Sequence, residues 1–136
     1  MKPRRWLWVP VNAALAIHDE QISEHSGIPG IRDLASIESA LDRPRKLVAY
    51  GKRDAATLAA AYAFGLCRNH RFFDGHKRTA YVVAETFLDL NGYLMNASDE
   101  QVVSTMLAVA SGAMSQAQLA GWFRSFIAKS KDHGPR

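Results

Sequence analysis

His70-Arg71-Phe72-Phe73-Asp74-Gly75-His76-Lys77-Arg78-Thr79 lies near the middle of a 136-residue chain, and the reading of its neighbours turns on it. Upstream, Asp54 to Asn69 is rich in alanine, with Leu58, Ala61, Tyr62, Gly65 and Leu66 recurring at helical spacing. Downstream, His76 to Asn91 puts Val83, Phe87 and Leu90 on one face and stops at Gly92. Asp74-Gly75 is a turn pair between the two. One helix therefore ends before His70, and another starts inside the stretch.

A helix start exposes unpaired backbone N–H groups and the positive end of the helix dipole, which together attract anions. Gly75 lets a phosphate approach the backbone closely because it has no side chain. Lys77 and Arg78 add charge, and a guanidinium can grip phosphate oxygens as a planar fork. Asp74 is placed to hold Mg2+, which takes carboxylate and phosphate oxygens. His70, with an ordinary pKa near ~6.5, can accept a proton from a hydroxyl at neutral pH. Phe72 is the expected apolar anchor of the loop. Each residue alone has a plainer reading. Histidine at a helix end is commonly a cap, Asp-Gly is commonly only a turn, and Lys-Arg is commonly solvated surface. Two cations in a first turn nevertheless oppose the dipole, and an anion between them removes that conflict.

In this order the residues resemble the signature of the Fic/Doc family: histidine, any residue, Phe, any residue, an acid, a small residue, Asn, Gly or Lys, then Arg. Lys77 brings the stretch closer to the Doc (death-on-curing) branch than to the AMP-transferring Fic branch, which has Gly there. Further stretches agree: His18-Asp19, Gly30-Ile31-Arg32-Asp33, Ile37-Glu38-Ser39-Ala40-Leu41, Thr79-Ala80 and Phe87-Leu88-Asp89-Leu90-Asn91-Gly92. The resemblance spans roughly Val9 to Phe126. It implies that His70 is the base, Asp74 the metal residue, and Gly75, His76, Lys77 and Arg78 the phosphate grip, with ATP as co-substrate and Mg2+ as cofactor. It further implies a toxin that phosphorylates a translation factor, elongation factor Tu, and is silenced by an antitoxin of the Phd type. Nucleic acid would be met only through that antitoxin. One position departs from the pattern: the family's Asn is His76 here. An imidazole can donate one hydrogen bond when neutral and two when charged, so it replaces the amide only in part. AMP transfer to a protein hydroxyl is the alternative chemistry. A non-catalytic helical binding module with a decayed site is the alternative of another class. The inhibitory pattern of many Fic proteins, Ser or Thr with Glu four residues on, does not occur in the chain.

Composition fits these expectations without deciding among them. Hydrophobic residues make up 48% and charged residues 22%, ordinary for a soluble globular domain with its own core. The net charge of +4 permits acidic partners but does not identify one. The single cysteine, Cys67, excludes an internal disulfide and is read as a small core residue; a reducing cytoplasm is the expected location. Pro10 and Asn12 interrupt the apolar run after Arg4-Arg5, so no signal peptide is expected, and no membrane span.

In chain order, Val11 to Glu24 reads as a first helix with Leu15, Ile22 and His18 as inward candidates; for His18, packing and function weigh equally. Gly27 to Gly30 breaks it. Asp33 is a possible N-cap for a short helix, Leu34 to Leu41, ending before Pro44. Arg43 to Arg53 reads as a solvated loop. By resemblance, its centre, Lys46-Leu47-Val48-Ala49-Tyr50, is a flap that aligns an extended target segment by backbone pairing. Tyr93-Leu94-Met95 is a connector. Ser98 with Gln101, and Ser115 with Gln118, read as capping boxes opening two more helices. The second carries Leu119, Trp122, Phe123, Phe126 and Ile127 as a core stripe. The expected fold is all-α, one helical domain of about six helices. Residues 1–8 form an N-terminal segment, 9–128 the domain, and 129–136 a charged tail.

Overall fold

The computed structural model describes residues 6–25, 34–51, 54–68 and 76–130. Within them the order is α1 (Val11–His25), α2 (Leu34–Ala49), α3 (Ala55–Cys67), α4 (His76–Leu90), β1 (Tyr93–Met95), α5 (Asp99–Ser111), α6 (Gln116–Phe126) and β2 (Ile127–Lys129). The all-α expectation holds for the six helices, with one small two-stranded sheet added among the described residues.

The central element is α3. Its sequence is apolar all the way round, as a helix must be to lie in an interior. Every residue in it except Thr57, Phe64 and Gly65 is buried. Alanines keep it slim, so α2, α4 and α6 close in around it, while α1 packs on α4 and α5 lies against α4 and α3. A Cβ on Gly65 would stand 3.3 Å from Cδ of Arg43, which shows how near α2 approaches. Tyr62, Phe87, Phe123, Ile37, Leu58 and Leu66 are fully buried. Each such side chain contributes about 1.5–3 kcal/mol of transfer free energy. A surface ion pair such as Lys46–Asp42, at 3.9 Å, contributes below about 1 kcal/mol. The apolar core, not the surface charge, holds the fold.

Helix ends follow the sequence closely. Asp54 caps α3 by accepting from the Thr57 amide at 3.1 Å. Both expected capping boxes are present: Ser98 with Gln101 opens α5, and Ser115 with Gln118 opens α6. Gly92, at φ 87°, stops the chain after α4, and Gly112, at φ 86°, closes α5; both need the left-handed conformation that glycine adopts freely.

Three expectations are corrected. First, α2 does not stop before Pro44 but runs through it to Ala49. A proline inside a helix costs ~3 kcal/mol or more. Here Ile37, Ala40 and Leu41 are buried on one side of it, Pro44 itself is buried, and Leu47 and Val48 pack on the core beyond it. The two halves are thus held by packing on α3 rather than by the missing hydrogen bond. Lys46 to Ala49 are therefore helix and not loop, with their backbone engaged in helical bonding rather than laid out as a strand edge. Tyr50, 83% exposed, stands in the turn that follows. The cations of this segment are also less free than a solvated loop implies. Arg43 lies over the Phe64 ring and donates to Gln116 at 2.9 Å, and Arg45 lies over the Trp8 ring.

Second, Tyr93-Leu94-Met95 is a strand. It pairs antiparallel with Ile127–Lys129 in the register Tyr93↔Lys129, Leu94↔Ala128, Met95↔Ile127. Ile127 consequently leaves the helical stripe for extended backbone. Third, Lys129 belongs to this sheet and Ser130 beyond it is buried, its amide donating to Gly92 at 2.8 Å, so the charged tail does not begin at 129.

Of the N-terminal segment, the described residues Trp6 to Trp8 are also packed or bonded to the domain. Trp6 and Trp8 lie against the Phe87 ring at 5.6 and 5.8 Å between centroids, and the Val9 amide donates to the Tyr62 hydroxyl at 3.0 Å. Leu7 exchanges two 2.9 Å hydrogen bonds with the Asn91 side chain. Of the inward candidates on α1, His18 is fully buried and Leu15 partly; the side chain of Ile22 lies outside what is described.

Candidate functional site

His70, Phe72, Asp74 and Gly75 lie outside the described residues, as does the side chain of His76. What is described is the frame on either side of them. On the upstream side, Arg68 is the C-cap of α3; its amide bonds to the carbonyls of Leu66 and Phe64. Its guanidinium donates to the carbonyls of Val109 and Ala110 at 3.3 and 3.4 Å. A cation there satisfies the last carbonyls of α5 and complements that helix's negative end. The chain entering the motif is thereby pinned to α5 two residues before His70.

On the downstream side, the first turn of α4 is His76-Lys77-Arg78-Thr79 and holds no acidic residue. It divides by exposure. Thr79 is fully buried, Lys77 is half-buried and Arg78 is exposed. Lys77 and Arg78 line the α4 side of an open cavity of about 260 Å3 between α4 and α5. Val102, Val103, Met106 and Leu107 line the rest of it. These four recur at one-, three- and one-residue steps along α5, which puts them on one side of that helix. Val103 and Leu107 are 50% and 52% exposed, so the apolar wall opens to the surface. Two cations at a helix start beside an apolar wall suit a ligand with an anionic end and a flat, apolar body.

Beneath the first turn, Thr79 Oγ1 shares a 3.1 Å hydrogen bond with Nδ1 of His18 from α1; both side chains are fully buried. Cys67 sits behind the cavity, its thiol directed at the Met106 carbonyl at 3.7 Å. Burial pushes that thiol up to about 11, against a smaller opposing pull from Lys77 and Arg68. It therefore stays protonated at neutral pH and is no nucleophile, in line with its reading as core.

Sequence reasoning placed Lys77 and Arg78 and the helix that carries them. It missed the cavity's apolar wall, whose only signal was a valine pair and a Met-Leu pair four residues on in a helix read without function. It also missed Arg68, whose signal was a cation at the last turn of an otherwise uncharged helix. No group of three His, Cys, Asp or Glu side chains capable of holding a metal occurs among the described residues. A Mg2+ ion held with substrate phosphates needs only one or two carboxylates, and the carboxylate expected for it, Asp74, is not among them. None of the described helices is long and apolar enough to cross a membrane.

The chain belongs to the Fic/DOC family, whose sequence model matches residues 8–88 and so takes in α1 to α4 with the motif. Among characterised relatives, Protein kinase doc of Escherichia phage P1 is 33% identical over 111 residues, covering 81% of this chain and 87% of its own length. Toxin Doc of Mycolicibacterium smegmatis is 43% identical over 65 residues, 46% of this chain and 49% of that protein. The resemblance read from the motif, including its Doc side, is borne out.

Proposed function

We propose that this chain is a Doc-like toxin of a toxin–antitoxin pair that transfers the terminal phosphoryl group of ATP to a protein hydroxyl. The observation that carries the reading is the joint placement of Lys77 and Arg78 at the head of α4, in the lining of a cavity whose α5 wall is apolar. That arrangement gives a triphosphate its countercharges and leaves an apolar surface for a nucleobase. A relative named as a protein kinase, matching most of the chain, supports phosphoryl transfer over AMP transfer. So does Lys77 at the position where AMP-transferring Fic proteins have Gly.

In this reading His70 takes the proton from the attacking hydroxyl as its oxygen bonds to the γ-phosphorus. The bond to the bridging oxygen breaks, and ADP leaves. Gly75, His76, Lys77 and Arg78 hold the phosphates. Asp74 would hold Mg2+, which when bound neutralises charge on the phosphate oxygens. Catalysis of this kind works by positioning and electrostatics. The target is a translation factor, elongation factor Tu, and an antitoxin of the Phd type restrains the toxin.

The test is incubation of the purified protein with elongation factor Tu and ATP labelled separately at the α and γ positions. Label on the target from γ alone, lost with His70→Ala, is expected. Label from α would show AMP transfer instead. No label from either, together with growth arrest that survives His70→Ala, would leave a binding module in place of an enzyme.

A further inference from the structure

We infer that His18 of α1, acting through Thr79, is a positioning residue for the nucleotide grip, an inference that rests on the phosphoryl-transfer reading above. The first turn of α4 has two duties. Lys77 and Arg78 must face the cavity, and the same turn must dock on the core. Successive residues on a helix differ by about 100° in direction, so the helix's rotation about its axis decides where both cations point. Apolar packing through Val83, Ala84, Phe87 and Leu88 seats α4 on the core by shape. A hydrogen bond also fixes its rotation, because it is directional.

The bond between His18 Nδ1 and Thr79 Oγ1, 3.1 Å long and wholly buried, stands at the residue next to Arg78. It joins two helices that pack on each other, and Ala14 on α1 and Ala80 on α4, one turn before His18 and one residue after Thr79, are buried small side chains. A leucine and a valine at 18 and 79 would supply apolar area without that direction. The polar pair therefore sets the angle at which α4 presents its cations, and α1 serves as the fixed support.

The test separates positioning from stability. Thr79→Val removes the hydroxyl and keeps the volume; Thr79→Ser keeps the hydroxyl. ATP affinity, measured by calorimetry on the full chain with magnesium present, should fall about tenfold in Thr79→Val. It should stay within about twofold of wild type in Thr79→Ser. The combined His18→Phe/Thr79→Val variant should bind no worse than His18→Phe alone, because both changes cut one link. Thr79→Val that lowers Tm but binds ATP like wild type overturns the inference and leaves the functional reading intact. Wild type that binds no ATP overturns both. Should Thr79→Val not fold, the imidazole 15N resonances of His18 in the wild-type protein decide. They should shift as ATP is added, and resonances that do not move overturn the proposal.

Discussion

α4 and α5 line the same cavity, and their starts are built in opposite ways. α5 opens with Ser98 as its cap, Gln101 reaching back to the Ser98 amide at 2.8 Å, and Asp99 and Glu100 in the first turn. Its dipole is met by its own acids and its first amides by its own side chains. α4 opens with His76, Lys77 and Arg78 and has no acid in that turn. A surface charge of the wrong sign at a helix end costs about 0.3–1 kcal/mol. The same chain that caps its helices at Asp54, Ser98 and Ser115 puts two cations in the first turn of α4. The difference is the one the proposed function expects, with α5 capped for the fold and α4 left open to a negative ligand.

The strongest way to break this contrast is to neutralise the α4 start. Lys77→Ala with Arg78→Ala should weaken ATP binding by about 100-fold or more, since each charge-assisted hydrogen bond contributes about 1.5–3 kcal/mol. Stability should hold or rise slightly, as the dipole is no longer opposed. ATP titration beside thermal melting checks both, and a large drop in Tm with unchanged affinity would make the pair structural. Next in size, Leu107→Asp places a carboxylate on the cavity wall at a half-exposed site. ATP affinity should fall about tenfold through repulsion and lost apolar contact, with stability altered by less than about 0.5 kcal/mol. The mirror experiment is at α5: Ser98→Ala should cost about 1 kcal/mol in urea unfolding and leave nucleotide affinity as it was.

The smallest effect concerns pH. Partial burial works against the charged form of Asp54, but hydrogen bonds from Thr57 and Arg124 outweigh it and hold the carboxyl below its ordinary value of 3.8. A depressed carboxyl adds stability that is fully present above the unfolded-state pKa and is lost as pH falls through the folded-state one. Asp54→Asn should therefore cost less than about 1 kcal/mol at neutral pH, as for other exposed pairs. The difference from wild type should shrink below about pH 4. An equal gap at pH 7 and pH 2 would assign the loss to capping geometry instead of charge.

How much of this could be read beforehand depended on the range of the forces involved. The capping boxes, the α3 helix and the stop at Gly92 are short-range signals, decided within a few residues, and all three are where the sequence put them. Pro44 is a local signal that lost: Ile37, Leu41 and Leu47 bury on both sides of it, and tertiary packing overrode the break. The β1–β2 pair could not be read, because three residues are too few to show alternation and the partners lie more than thirty residues apart. The cavity needed α4 and α5 to be adjacent, which spacing within either helix does not state. Lys77 and Arg78 were legible because cations in a first turn conflict with local electrostatics, and that conflict is visible in one dimension.

The two hydrogen bonds between Leu7 and Asn91, and the one from Ser130 to Gly92, fasten the two ends of the described chain to neighbouring residues at the tail of α4. The cationic turn is at the head of that 15-residue helix, about 20 Å away along the axis. An affinity tag, a surface linker or a fluorescent partner attached beyond either of these anchors would begin far from the cavity.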